Sequence, residues 1–385
     1  MLLEPVDPNE RFRERRRRAR RGRAIRRVLL LTLVAVAAAA VALGASFLTG
    51  GQTNRADSSE TRQPAAQKPA PKPEPRPLPA EIRGVHVTMA LASLDGKLEE
   101  YYDLTSAGLN TIELDVKDEN GEVAFLRPAV PLARRIGAAH RYYDPRQVVE
   151  DVRARGLYLI GRVVVFEDPF LAAGRPDLAI RTPEGGVWTT SSGLGWANPY
   201  DERVWKYNVD VAEAAVKAGF DEIMFDYVRF PTDGDVSRAV FAHRKPEPKA
   251  VTIGHFLKYA RDRLEPLGAR ISAAVFGLSA ARDMGIGQRP RRLARHLDAI
   301  YPMVYPSHYG AGEYGLDDPN GLPGITVARS LRDFRRALLG QETLLVPWLQ
   351  DFSLGRDYTL EDLRAQVLAA RDARSKGFLL WNPSG

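Results

Sequence analysis

From residue 81 onward, short apolar runs alternate with stretches whose apolar positions recur every three or four residues. The first pattern predicts buried strands and the second amphipathic helices; their alternation predicts β/α units around a parallel sheet. Eight strands are expected, at 84–89, 111–116, 157–166, 222–227, 270–276, 299–305, 343–349 and 378–381. Helices are expected at 94–107, 145–155, 202–218, 252–267, 290–297, 326–339 and 359–375. Gly108, Gly156, Gly219, Gly268 and Gly377 stand between a helix and the following strand, where a left-handed residue stops a helix. Eight such units in residues 81–385 are what a (β/α)8 TIM barrel requires. A doubly wound sheet would carry a glycine-rich phosphate turn after its first strand, and the residues after Met89 read A-L-A-S-L-D-G instead. Only four residues follow Trp381, so either the barrel manages without an eighth helix or this chain is shorter than a full-length relative.

Residues 1–80 follow a different pattern. Eleven arginines lie in residues 11–27, and Val28 to Leu48 then runs for 21 residues without a charge. That length spans a bilayer core as a helix. The expectation is a cytoplasmic arm at 1–27, a transmembrane signal-anchor at 28–49 and a single-pass protein with its folded domain on the extracytoplasmic side of the membrane. A cleaved signal peptide shares the basic-then-apolar order, with a cleavage site near Ala45 and Ser46. Residues 50–80 alternate proline with Ala, Lys and Glu from Pro64, which predicts a disordered, extended linker.

Charge changes the picture once it is divided among these segments. The chain is +7 overall, residues 1–27 are +7 and residues 50–80 are +2, so the rest sums to −2. The basic excess belongs to the membrane arm, and no nucleic-acid partner is expected of the folded part. There is no cysteine, which excludes disulfides, thiolate zinc sites and cysteine nucleophiles. The six histidines show no metal-ligand spacing, so neither metal nor cofactor is expected. His86 suits a hydrogen-bonded barrel histidine as well as a ligand.

Chemistry-bearing residues gather at the predicted carboxyl ends of strands, the face on which barrels bind and react. The stretch F-D-E-I-M-F-D-Y-V-R-F-P-T-D-G, 220–234, ends a strand in Asp226, Tyr227 and Arg229. Strand 2 ends in Glu113, Asp115 and Lys117, then D-E-N-G; strand 3 carries Arg162 and ends in Glu167 and Asp168. Tyr301, Tyr305 and His308 follow on strand 6, Trp348 and Asp351 on strand 7, and Trp381 and Asn382 on strand 8. The 36 residues from Glu167 to Glu202 add Trp188 and Trp196 and are long enough to form a lid or wall. Aromatic faces with acids, arginines and a histidine suit sugar rings and their hydroxyls, so a polysaccharide or cell-envelope glycan is the expected partner. Glycoside cleavage needs two carboxyl groups, one protonated and one ionised. Asp226 is the candidate nucleophile or base, held ionised by Arg229 or Arg162. Glu167, Asp115, Asp168, Asp351 and Asp283 are all open as the acid. The bland readings are that Asp115 pairs with Lys117 along one strand face, that Glu167 and Asp168 only build a turn, and that Tyr301 and Tyr305 are core.

The runs R-G-V-H-V-T from Arg83, N-T-I-E-L-D-V-K-D from Asn110, F-D-Y-V-R-F-P at 225–231 and Y-P-M-V-Y-P-S-H-Y from Tyr301 resemble a bacterial glycoside hydrolase domain family of unassigned function. That family is related to the α-amylase-like barrels, and the likeness spans residues 82–382. The resemblance implies a (β/α)8 barrel, hydrolysis of a glycan and a nucleophile at Asp226. The acid of the related group ends strand 5, where this chain reads I-S-A-A-V-F-G-L, with Ala274 and no Glu. A chitinase-type D-x-x-D-x-D-x-E would need its final Glu at Val228, and a strand-7 Glu is replaced by Trp348-Leu349-Gln350-Asp351. A membrane-anchored glycosidase is therefore expected, with a non-catalytic glycan-binding barrel as the alternative.

Overall fold

The computed structural model describes residues 73–125 and 130–382. Its strands are β1 (Ile82–Val87), β2 (Thr111–Lys117), β3 (Tyr158–Val164), β4 (Glu222–Asp226), β5 (Arg270–Phe276), β6 (Ala299–Met303), β7 and β8 (Gly377–Trp381). β7 comes in two pieces, Leu344–Leu345 and Trp348–Gln350, because Pro347 between them has no N–H to give the ladder. All neighbouring pairs are parallel. The ring of eight strands closes where β8 pairs with β1, from Ile82↔Gly377 to Val85↔Leu380.

The helices that flank the ring are α1 (Lys97–Asp103), α2 (Pro145–Ala154), α3 (Glu202–Ala218), α4 (Lys249–Leu264), α5 (Pro290–Leu293), α6 (Pro323–Ala337) and α7 (Leu360–Asp372). α3 shows why they form. The Asp201 carboxylate accepts from Arg203 N at its start, and Gly219, at φ 114°, ends it with its N–H on the Ala215 and Val216 carbonyls. Between the caps, Val204, Trp205, Asn208, Val211, Ala212 and Ala215 make one buried face. Each large apolar side chain buried there is worth about 1.5–3 kcal/mol.

Inside the barrel, Ile82, Tyr158, Ile160, Met224, Ala274, Ala299, Val346 and Leu379 form a core of their own. Tyr301 belongs to it and is fully buried. It was expected to contact substrate, yet it lies in the strand interior and offers no surface to a sugar. The linker expectation also changes at its end. Residues 73–80 lie on the barrel: Arg76 Nη1 pairs with Asp221 Oδ2 at 3.1 Å and donates to the Leu157 carbonyl, and Arg270 Nη1 donates to the Arg76 carbonyl at 3.0 Å. Leu78 packs on the interior core. The reason is Asp221, whose buried carboxylate needs a cation that the strands do not supply. The expected arm at 1–27, membrane span at 28–49 and most of the linker lie outside the described residues. Among the described residues no helix is long and apolar enough to cross a membrane.

Candidate active site

Strand register assembles the site. His86 on β1 is the register partner of Glu113 on β2. Asp115, further along β2, is the partner of Arg162 on β3, and Arg162 is in turn level with Met224, two residues short of Asp226 on β4. Period-two alternation sends this whole set to the barrel interior. Arg162 then lies between two acids. Its Nη1 reaches Asp115 Oδ1 at 2.7 Å, and its Nε and Nη2 reach Asp226 Oδ2 at 2.9 and 2.7 Å. A third acid, Glu119 in the turn after β2, stands 3.6 Å from Nη1. Burial alone would lower the guanidinium's affinity for its proton, but Asp226, Asp115, Glu119 and Glu113 reverse this and hold it well above its ordinary range.

The other oxygen of Asp226 accepts from the backbone N–H of Tyr227 at 2.7 Å. Tyr227 adopts φ 48° to make this bond. A left-handed conformation in a bulky residue costs about 1–3 kcal/mol and collects at functional sites. Both oxygens of Asp226 are thus oriented, and its side chain keeps 8% exposure against 2% for Asp115. Of the two arginines expected beside Asp226, Arg162 is the one that pairs with it.

Arg229 instead sits among rings, 4.7 Å from the Phe276 centroid, 5.0 Å from Trp196 and 5.1 Å from Tyr227. Trp196 and Trp188 are both buried, so the long loop packs its indoles against the segment after β4, Trp196 on Arg229 and Trp188 on the Asp235 carbonyl, and does not offer them as open platforms. Trp348 is likewise buried, edge-on to His86 and Trp381; expected to bind substrate, it holds up the site from behind. Trp381 stacks on the His86 imidazole at 4.2 Å and lies 5.5 Å from the Arg162 guanidinium. Tyr305, His308 and Phe352 make a second aromatic group, with centroids 5.4–6.1 Å apart. Burial pushes the His308 imidazole down to about 4, and it raises the Asp351 carboxyl. Asp351 and Asn382 are half-buried at the ends of β7 and β8.

Glu167 is buried beyond β3, bridged through its backbone to Trp196. Asp168 is structural: it accepts from Leu171 N at 2.8 Å to cap a short helix and pairs with Lys117 Nζ at 2.7 Å. The pairing of Asp115 with Lys117 does not form, because the register shifts between them and Lys117 reaches Asn208 on α3.

Two features escaped the sequence pattern. Glu119 looked like part of a turn, and only the fold places it against Arg162. The imidazole of His86 meets Glu113, whose carboxyl burial raises above its ordinary range against the pull of His86. His86, Glu113 and Asp115 each place one ligand atom within 4.8 Å of the others. Histidine spacing in the sequence is blind to a group shared by two paired strands. Arg162 already supplies positive charge at Asp115, so no step is assigned to a cation there.

Residues 84–385 match the family described as "Putative glycosyl hydrolase domain". The chain belongs to this family. The family reading from the sequence is thereby borne out, and with it a glycoside hydrolase of open class. A comparison with curated proteins found no match. Among solved structures, a hypothetical protein from Ruminiclostridium thermocellum is 34% identical, covering 49% of this chain and 96% of its own, with a TM-score of 0.46. The glycoside hydrolase domain of PgaB (BpsB) from Bordetella bronchiseptica is 14% identical, with 79% and 94% covered and a TM-score of 0.51. An α-galactosidase from Thermus thermophilus is 16% identical, with 80% and 60% covered and a TM-score of 0.49. Of the three, the Bordetella domain supports the barrel fold, and the fold alone.

Proposed function

We propose that this barrel hydrolyses O-glycosidic bonds of a polysaccharide, with Asp226 as nucleophile or stabilising base and Glu119 as proton donor. One observation carries the reading: Asp226 and Glu119 flank a single guanidinium. The oxygens they turn to Arg162 are no more than about 9 Å apart given its planar geometry, which does not exceed the upper end of the separations that paired glycosidase carboxylates use. Asp226 touches Arg162 at hydrogen-bond distance and takes the role that needs a charged carboxylate; Glu119, 3.6 Å from the same guanidinium, takes the role of proton donor. In this scheme Asp226 bonds to the anomeric carbon as Glu119 protonates the leaving glycosidic oxygen; Glu119 then takes a proton from water, whose oxygen displaces the Asp226 carboxylate from that carbon. The anchor at 28–49, with the barrel on the outer side of the membrane, is part of the same proposal and rests on the sequence order of basic arm and apolar run.

A glycan-binding barrel without catalysis is the second reading, favoured by the strand-5 end, where Ala274 and Phe276 stand in place of an acid. Reducing-sugar release by the full chain in detergent separates the two. Asp226→Asn should abolish release and Glu119→Gln should lower it by about 100-fold or more. Equal glycan binding by all three proteins, with no release by any, favours the binder.

A further inference from the structure

Among the described residues three cations are buried: Lys117, Arg162 and Arg229. Lys117 has Asp168, and Arg162 has Asp115 and Asp226. Arg229, 6% exposed, has no carboxylate within pairing distance among the described residues; its Nη1 donates to the Phe230 carbonyl at 3.1 Å and to Thr232 Oγ1 at 3.3 Å, both neutral. A buried charge without a counter-ion is costly. The rings of Trp196, Tyr227 and Phe276 offset part of that cost through cation–π attraction, but they carry no charge. Two of those rings, Tyr227 and Phe276, are only half-buried, which opens the box toward the mouth at the ends of β4 and β5. Arg229 itself stands three residues after Asp226.

We propose that Arg229 is an anion subsite and that the glycan bound here is acidic, with a uronic-acid carboxylate seated on this guanidinium. The inference deepens the hydrolase reading by naming its substrate class. A planar monoanion fits better than a phosphate. The fork of an arginine matches a carboxylate bidentately. Aromatic walls beside a charged fork also suit a sugar ring that carries its acid as a substituent.

The test is binding, measured by calorimetry on the full chain in detergent carrying Asp226→Asn, so that turnover plays no part. Oligogalacturonate, a neutral cello-oligosaccharide of equal length and inorganic phosphate are the probes. The expected result is binding of the uronate, weakened at least ten-fold by Arg229→Gln and by added salt. Arg229→Lys, which keeps the charge and loses the fork, should fall between. Melting curves confirm that each variant is folded, and the lysine variant carries the test if glutamine is not tolerated. Uronate binding that ignores both substitutions, tighter binding of the neutral oligosaccharide or of phosphate, or no uronate binding overturns the proposal. Because Asp226 is neutralised throughout, a failed subsite leaves the hydrolase reading intact, and uronate binding without cleavage by the parent chain does the reverse.

Discussion

Replacing Arg162 by Met tests whether the acids of the site are held by charge. The guanidinium makes three bonds, two to Asp226 and one to Asp115, and all the groups are nearly buried. Taking one partner out of a buried ion pair costs about 3–5 kcal/mol, chiefly because the charge left behind has lost its water and its partner. Here two carboxylates share one arginine, so their losses do not add, and the same range applies. In a domain of this size about 2–3 °C of melting temperature goes with each kcal/mol, which predicts a fall of about 10 °C near pH 8. Acidification should narrow the gap. Without Arg162 the buried carboxylates favour their protonated forms when folded, so the variant binds more protons folded than unfolded and gains stability as pH falls. Adding Asp115→Asn and Asp226→Asn to Arg162→Met should recover much of the loss, because no charge then remains unpaired. The assay is thermal melting by circular dichroism at pH 5 and pH 8. If Arg162→Met melts within 2–3 °C of the parent at pH 8, or if the triple variant melts no higher than the single one, then Arg162 does not act as a buried counter-ion.

The remaining expectations concern the barrel's edges. Arg76→Ala takes from Asp221 its paired cation and leaves it the Leu159 N–H at 3.0 Å; it should cost about 1–2 kcal/mol in denaturant unfolding, since Arg76 is partly solvated, and no change would mean that residues 73–80 do not hold the barrel. Burial holds His308 down to about 4, against an ordinary 6.5, so the folded state binds fewer protons than the unfolded one between those values. The stability contributed by its neutral form is complete above 6.5 and is lost as pH falls toward 4. His308→Phe should therefore lose less melting temperature than the parent between pH 7 and pH 5, and identical curves would count against a buried neutral imidazole.

The periodicity of the chain alone determined the order and type of the elements, and β5 and α3 match the expected ranges residue for residue. Such patterns are local: alternation sets which residues share a face, and glycine and aspartate set where helices start and stop. Pro347 shows the limit even locally, since the expected strand 343–349 breaks at it. Asp226 was legible because a carboxylate, an aromatic and an arginine end one short apolar run. Its partner was not. Arg162 lies 64 residues before Asp226 and 47 after Asp115, and no local rule joins them. The register of three parallel strands does so, by setting side chains of the same inward parity side by side. The same holds for Glu119, which the fold turns from a loop acid into a neighbour of Arg162, and for His86 with Glu113. Aromatic residues mark barrel mouths by type, but type does not say how deep a ring sits. Closure of the ring decided that Tyr301 and Trp348 are packed inside while Tyr227 reaches the opening, because depth depends on where each strand begins relative to its neighbours.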